Sequence, residues 1–148
     1  MLQGTMSTGA LAMTASTALS ILKIIAAANQ RVTLDRLDIA SNSITPTDGG
    51  VLVEIMRYSS GGTFTALSPV PIDSTNDETM TTTGGKNVSA EPTLGAVLWN
   101  GYYPAQNGLI LPLEPRIEIP GGTSIVVRVT PAGLAATTKV AATGFISE

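Results

Sequence analysis

Residues 116–131 read R-I-E-I-P-G-G-T-S-I-V-V-R-V-T-P, and their pattern decides the fold class. Ile117 and Ile119 alternate with Arg116 and Glu118. Beyond Pro120-Gly121-Gly122, Ile125, Val127 and Val129 alternate with Ser124, Val126 and Arg128. A period of two on both sides of a Pro-Gly-Gly break predicts two half-buried strands joined by a tight turn. Their β-branched side chains suit a pleated surface packed on one face. The expectation is a central hairpin with the rest of the chain adding strands beside it.

Working outward, Gly108 to Pro112 supplies Leu109 and Leu111 and leads into that hairpin. Leu94 to Tyr103 alternates Leu94, Ala96 and Leu98 with Val97 and Trp99. Thr137 to Ile146 alternates Val140 and Ala142 with Lys139 and Ala141 and forms the last strand. Towards the N-terminus, Leu19 to Ala27 is apolar on both faces, and Asn29-Gln30 ends the run too early for a helix. In Arg31 to Ala40, Val32 and Leu34 are out of phase with Leu37 and Ile39. A β-bulge near Asp35-Arg36 would turn all four to the core. Val51 to Tyr58 is a clear strand after the Asp48-Gly49-Gly50 turn signal. Ser59 to Gly62 is expected to turn, Thr63 to Ala66 to continue as a short strand, and Pro69 and Pro71 to interrupt pairing. Asp73 to Glu91 is expected to be a surface excursion with a short strand near Val88.

About eight strands result, with no long amphipathic helix. The expected fold is an all-β antiparallel β-sandwich of jelly-roll type, formed by residues 19–148 as one domain. Met1 to Ala18 carries no charge and no steady period, and is expected to be an extended N-terminal arm. Either it is a disordered terminus, or Leu2, Met6, Leu11 and Met13 place it in the apolar grooves of a partner.

The composition excludes much chemistry. There is no cysteine and no histidine, which removes thiolate metal sites, cysteine nucleophiles and the commonest general base together. Charged residues are 13% of the chain, about half the usual share, with a net charge of −3. That supply is too thin for a phosphate-neutralising surface, so nucleic acid is not an expected partner. A surface so poor in charge is expected to be covered in part by neighbours in an assembly. The longest apolar run, Ile24 to Ala28, is far short of the roughly 20 residues of a membrane span. The first residues lack the basic start and apolar core of a secretory signal, so synthesis and retention in the cytoplasm are expected.

Candidate sites are few. Gly84-Gly85-Lys86 lacks the earlier glycine and the following Ser or Thr of a phosphate loop, and reads as a glycine-rich hairpin tip. Asp73, Asp77 and Glu78 offer oxygen ligands without EF-hand spacing, and turns use the same residues. Glu114 with Glu118, or Asp35 with Asp38, are the only pairs to weigh as glycosidase carboxylates, and acids in alternating strands are ordinarily solvated. The sequence therefore assigns no catalytic residue, metal or cofactor. Its sharpest cluster is Trp99-Asn100-Gly101-Tyr102-Tyr103-Pro104, with the only tryptophan and two of three tyrosines. Trp99, Tyr102 and Tyr103 read as core and loop closure, as a protein interface, or as a sugar-stacking platform.

Several stretches resemble small proteins encoded beside the head genes of tailed bacteriophages: A-A-A-N-Q-R-V at 26–32, G-V-L-V-E-I-M-R-Y-S at 50–59, A-E-P-T at 90–93, and I-E-I-P-G-G-T-S-I-V-V-R-V-T at 117–130. These are similar to jelly-roll capsid decoration, or cement, proteins, over roughly residues 19–148. The resemblance implies a non-enzymatic virion protein on the capsid exterior, bound to the major capsid protein between capsomers and self-associated as a dimer or trimer. The rival expectations are a receptor- or carbohydrate-binding module of a phage fibre or tail, and a carbohydrate-active enzyme domain. The missing signal and histidine weaken the enzyme reading.

Overall fold

The computed structural model describes residues 1–73, 75, 78–135 and 138–148. Among these there is no helix, and ten antiparallel strands form two sheets. They are β1 (Gln3–Ser7), β2 (Leu11–Ala12), β3 (Leu19–Ile25), β4 (Val32–Ser41), β5 (Gly50–Leu67), β6 (Val70–Pro71), β7 (Thr83–Pro104), β8 (Gly108–Ile119), β9 (Ser124–Pro131) and β10 (Lys139–Ser147). Sheet A runs β6-β1-β10-β4-β8, with β2 also on β10. Sheet B joins β3, β9, β5 and β7.

The topology follows from one nested pairing. β5 pairs β7, β4 pairs β8, β3 pairs β9 and β1 pairs β10, so the chain is one long hairpin of four successive strand pairs. Alternate pairs then go to opposite sheets, joined by β10 against β4 and β9 against β5. This wrapped ribbon is a jelly roll, as the strand count and patterning led us to expect.

The expected central hairpin does not form. β8 pairs β4 in sheet A, whereas β9 pairs β3 and β5 in sheet B. Residues 120–123 form a turn, closed by the Thr123 amide on the Pro120 carbonyl at 3.0 Å, that crosses from one sheet to the other. The Gly122 amide also donates to the carbonyls of Ala26 and Ala27, at 3.1 and 3.2 Å. Gly122 sits at φ +75°, a conformation that favours glycine. Alternation fixes which side chains are buried, and Ile119 and Ile125 are both fully buried. It cannot distinguish a hairpin from an arch that packs two sheets face to face.

The bulge in β4 does form. Pairing with both β10 and β8 shifts register between Leu34 and Arg36; Asp35 is the extra residue against β10, whereas residues 113–116 of β8 lie opposite it on the other side. Val32, Leu34, Leu37 and Ile39 are all buried as a result. Asp35 accepts hydrogen bonds from the hydroxyls of Ser147 and, at 3.1 Å, Thr33. It also pairs with Arg116 at 3.3 Å, so both neighbouring strands, β10 and β8, are tied to the bulge.

β5 and β7 depart most from expectation. No turn breaks β5 at Ser59 to Gly62. The region read as a surface excursion contains, from Thr83 onward, the first part of a 22-residue strand. Several register shifts, mostly extra residues in β7, bend this ribbon. Its far end returns to β3, with Lys86, Gly85 and Gly84 opposite Leu22, Lys23 and Ile24. Sheet B thereby closes on itself. Gly84 is neither part of a phosphate loop nor at a hairpin tip: a Cβ there would lie 2.3 Å from the Lys23 carbonyl oxygen and 2.4 Å from the Met6 methyl. Only glycine allows the strands so close. Met56 and Val126 are cross-strand partners, and both are buried although out of phase with the main core. Lys23, also opposite Val126, lays its ammonium 3.3 Å from the Tyr58 ring centroid, a cation–π contact across the closure.

The N-terminal segment is not an arm. Gln3–Ser7 pairs along its length with β10, and residue 18 marks no domain boundary. Met6, Leu11 and Met13 are buried in the core, with Leu2 packed against it. Charge-free, methionine-rich sequence suits an intermolecular groove and the chain's own interior equally well. Met6→Ala is expected to cost about 2–5 kcal/mol, and deleting residues 1–13 to abolish cooperative unfolding in urea. An unchanged midpoint after that deletion would restore the dispensable-arm reading.

Candidate functional site

A concavity opens between β8 of sheet A and the β5–β7 ribbon of sheet B. It encloses about 400 Å³. One wall is Arg57, Leu98 and Trp99, and the other is the β8 stretch from Leu111 to Glu118. That stretch bulges: Leu34 and Arg36 of β4 face Ile117 and Pro112, so the residues between them are set free of pairing. Pro112 and Pro115 lack amide donors, which suits an edge strand. The Glu114-Pro115 peptide bond is cis.

Ion pairs hold the groove's polar residues in place. Arg116 is bound by Asp35 at 3.3 Å, and Glu118 by Arg31 at 3.3 Å. Arg57 donates to the Glu118 carbonyl at 3.4 Å. Among the described residues Glu114 has no ion-pair partner. Trp99 is half-buried, packs against the core, and lies opposite Ile55. Its indole occupies the space over Gly101, where a Cβ would fall 2.7 Å from the ring. The groove can thus offer an aromatic edge, apolar Leu98 and fixed charges of both signs.

The sequence-derived candidates scatter. Trp99 lines the groove and Tyr102 is 73% exposed, on the opposite phase of β7. Tyr103 is buried, with its hydroxyl 2.6 Å from the Ser41 hydroxyl, and closes the core between β7 and the end of β4. Leu2, Met6, Leu11 and Met13 belong to the interior and its margin. Sequence reasoning missed Arg57 and treated Glu114 and Glu118 only as a carboxylate pair. Both line the groove, and the signal that could have marked it is L-P-L-E-P at 111–115, two prolines in an otherwise alternating strand.

Of the acids weighed as oxygen ligands, Asp73 accepts from the hydroxyl and amide of Thr75 at 2.7 and 2.9 Å, an Asx turn that lowers its pKa. Asp77 lies outside the described residues. Among the described residues no three metal-ligating side chains gather, and no helix is long and apolar enough to cross a membrane.

The other conspicuous surface is the ribbon itself. From Tyr58 to Leu67 on β5 there is no charge, and from Asn87 to Leu98 on β7 only Glu91. That carboxylate is engaged by the Ser20 amide at 2.9 Å and hydroxyl at 2.6 Å, which fastens the ribbon to β3. Val97 and Leu98 are 45% and 37% exposed beside it.

Two optical measurements check this arrangement. Gly101→Ala should push the Trp99 ring towards solvent and red-shift its emission; an unshifted spectrum would mean the ring does not rest over Gly101. Burial, offset in part by the Ser41 hydrogen bond, raises the Tyr103 pKa above the usual phenol value of about 10. Because the folded value is the higher one, Tyr103 costs nothing below about pH 10 and progressively destabilises the fold above it. Absorbance at 295 nm should rise in two phases, with the later, unfolding-linked phase absent from Tyr103→Phe.

Comparison of the chain with protein-family models, curated proteins and solved structures finds no match.

Proposed function

We propose that this chain is a non-enzymatic virion protein that decorates and stabilises an icosahedral phage capsid, binding its outer surface between capsomers. The resemblance of residues 26–32, 50–59, 90–93 and 117–130 to decoration proteins motivates the reading. The observation that carries it is the β5–β7 ribbon, a long and largely exposed surface whose one charge, Glu91, is engaged by Ser20, and which is bordered by Val97 and Leu98. Docking such a surface desolvates few charges, and apolar burial at about 25 cal/mol per Å² favours it. Weak contacts repeated on a symmetric shell reinforce one another through effective concentration. The major capsid protein is the partner this reading names.

A second reading, a carbohydrate-binding module of a fibre or tail, is favoured by the groove. Trp99 with Arg57, Glu114 and Arg116 combines an aromatic surface with polar groups of both signs, the mixture a sugar's faces and hydroxyls engage.

One set of measurements separates the two. Purified protein is mixed with expanded, undecorated capsids of a tailed phage carrying its gene, and with a glycan array. Saturable co-sedimentation with capsids and raised capsid heat resistance are expected. Val97→Asp with Leu98→Asp should cut occupancy at least tenfold, and Trp99→Ala should leave it unchanged. Array binding lost in Trp99→Ala, without capsid binding, would replace decoration by the carbohydrate reading. Neither binding would overturn both.

A further inference from the structure

The charges lining the groove between β8 and the β5–β7 ribbon do not all find partners. Arg116 is held by Asp35 and Glu118 by Arg31, which leaves Arg57 on one wall and Glu114 on the other. No ion pair joins these two, and among the described residues Glu114 has no hydrogen bond either. Every other described acidic side chain has a partner. In a chain that ties down its acids so consistently, the exception lines the same groove as the only tryptophan.

Arg57 is also underused. It is half-buried, and its one hydrogen bond is the 3.4 Å contact with the Glu118 carbonyl. A guanidinium carries several further N–H donors, which stay available to an anion. Glu114 stands in the part of β8 set free of pairing, residues 113–116. Between the two charges the lining is apolar: Leu98 and Trp99 on one side, Pro112 and Pro115 on the other.

We propose that this groove binds a small zwitterion, an ammonium joined by a short carbon link to a phosphate diester. Arg57 binds the phosphate oxygens through its fork of donors. Glu114 accepts hydrogen bonds from the ammonium, and Trp99 with the two prolines covers the link. An ion of either sign alone would leave the charge on one wall unmatched, so a ligand carrying both is preferred. A diester keeps one negative charge when attached to a carrier, which matches one guanidinium. A volume of about 400 Å³ suits a ligand of this size. The carrier is a lipid or a saccharide. If it is a saccharide, the inference rests on the carbohydrate reading, and a sugar-free probe keeps the two tests distinct.

Trp99 supplies the signal, because no other tryptophan contributes to the emission. Glycerophosphoethanolamine titrated into the full chain should change that emission saturably. Ethanolamine alone and dimethyl phosphate alone should each bind at least tenfold more weakly. Glu114→Gln should bind the probe no better than it binds dimethyl phosphate, and Arg57→Gln no better than it binds ethanolamine. Lys139→Gln, on β10 and outside the groove, should bind as the wild type does. Circular dichroism and the thermal midpoint confirm folding of each variant. With the free probe bound, co-sedimentation with vesicles containing phosphatidylethanolamine identifies a lipid carrier, and retention of a saccharide bearing phosphoethanolamine identifies a sugar. No saturable response, equal affinity for either fragment alone, or wild-type affinity in both groove variants would each overturn the proposal.

Discussion

The bulge at Asp35 is the constraint on which sheet A depends. β4 is paired on both sides, and at Asp35 it has one residue more than β10 but three fewer than β8, so both partners change register there. Without the bulge, a strict period of two would turn either Val32 and Leu34 or Leu37 and Ile39 outward. With it, four large apolar side chains enter one core, and the displaced Asp35 becomes the polar junction of three strands. The same junction fixes Arg116, so the irregularity that fills the core also sets one wall of the groove. Core and surface are coupled through a single residue.

Much of this was legible in the sequence because side-chain period and burial are the same physical fact in a sandwich. The Asp35 bulge could be read from a phase change between two apolar pairs. The jelly roll could be read from strand number and spacing. Pairing partners could not: Ile117 and Ile125 alternate identically in a hairpin and in an arch, and only the opposite sheet's surface decides between them. The N-terminal segment failed for a related reason. Met6 and Leu11 occur among Thr, Ser, Gly and Ala, and their burial depends on β10, more than 120 residues away. The groove was half visible, Trp99 standing out by rarity, while Arg57 and the β8 wall become neighbours only through the fold.

Scarce charges act mainly as ties. Glu91 fastens the ribbon to Ser20, and Glu148 accepts from the amides of Thr81 and Thr82 at 2.6 and 2.9 Å. Asp48 accepts from the Ala135 amide at 2.9 Å and from the Ser43 hydroxyl, joining two loops. Each carboxylate supplies acceptors where the backbone leaves its ladder, and bonds to ionised groups are the stronger kind. Charge spent inside the molecule is not displayed on it. The near-neutral ribbon follows from that use of its one carboxylate.

The nested pairing also dictates an order of events in time. β5 and β7 are joined through residues 68–82, far fewer than the span across which Gln3 must find Ser147, and so close first. Closing so long a loop is entropically slow, and topologies dominated by distant pairs fold in milliseconds to seconds. Until Lys139–Ser147 is available, β1 has only the two-residue β6 to pair with, and Met6 lacks the strand that holds it in the core. The inner ribbon is thus a template on which the outer strands condense, and β1 is among the last to be fixed.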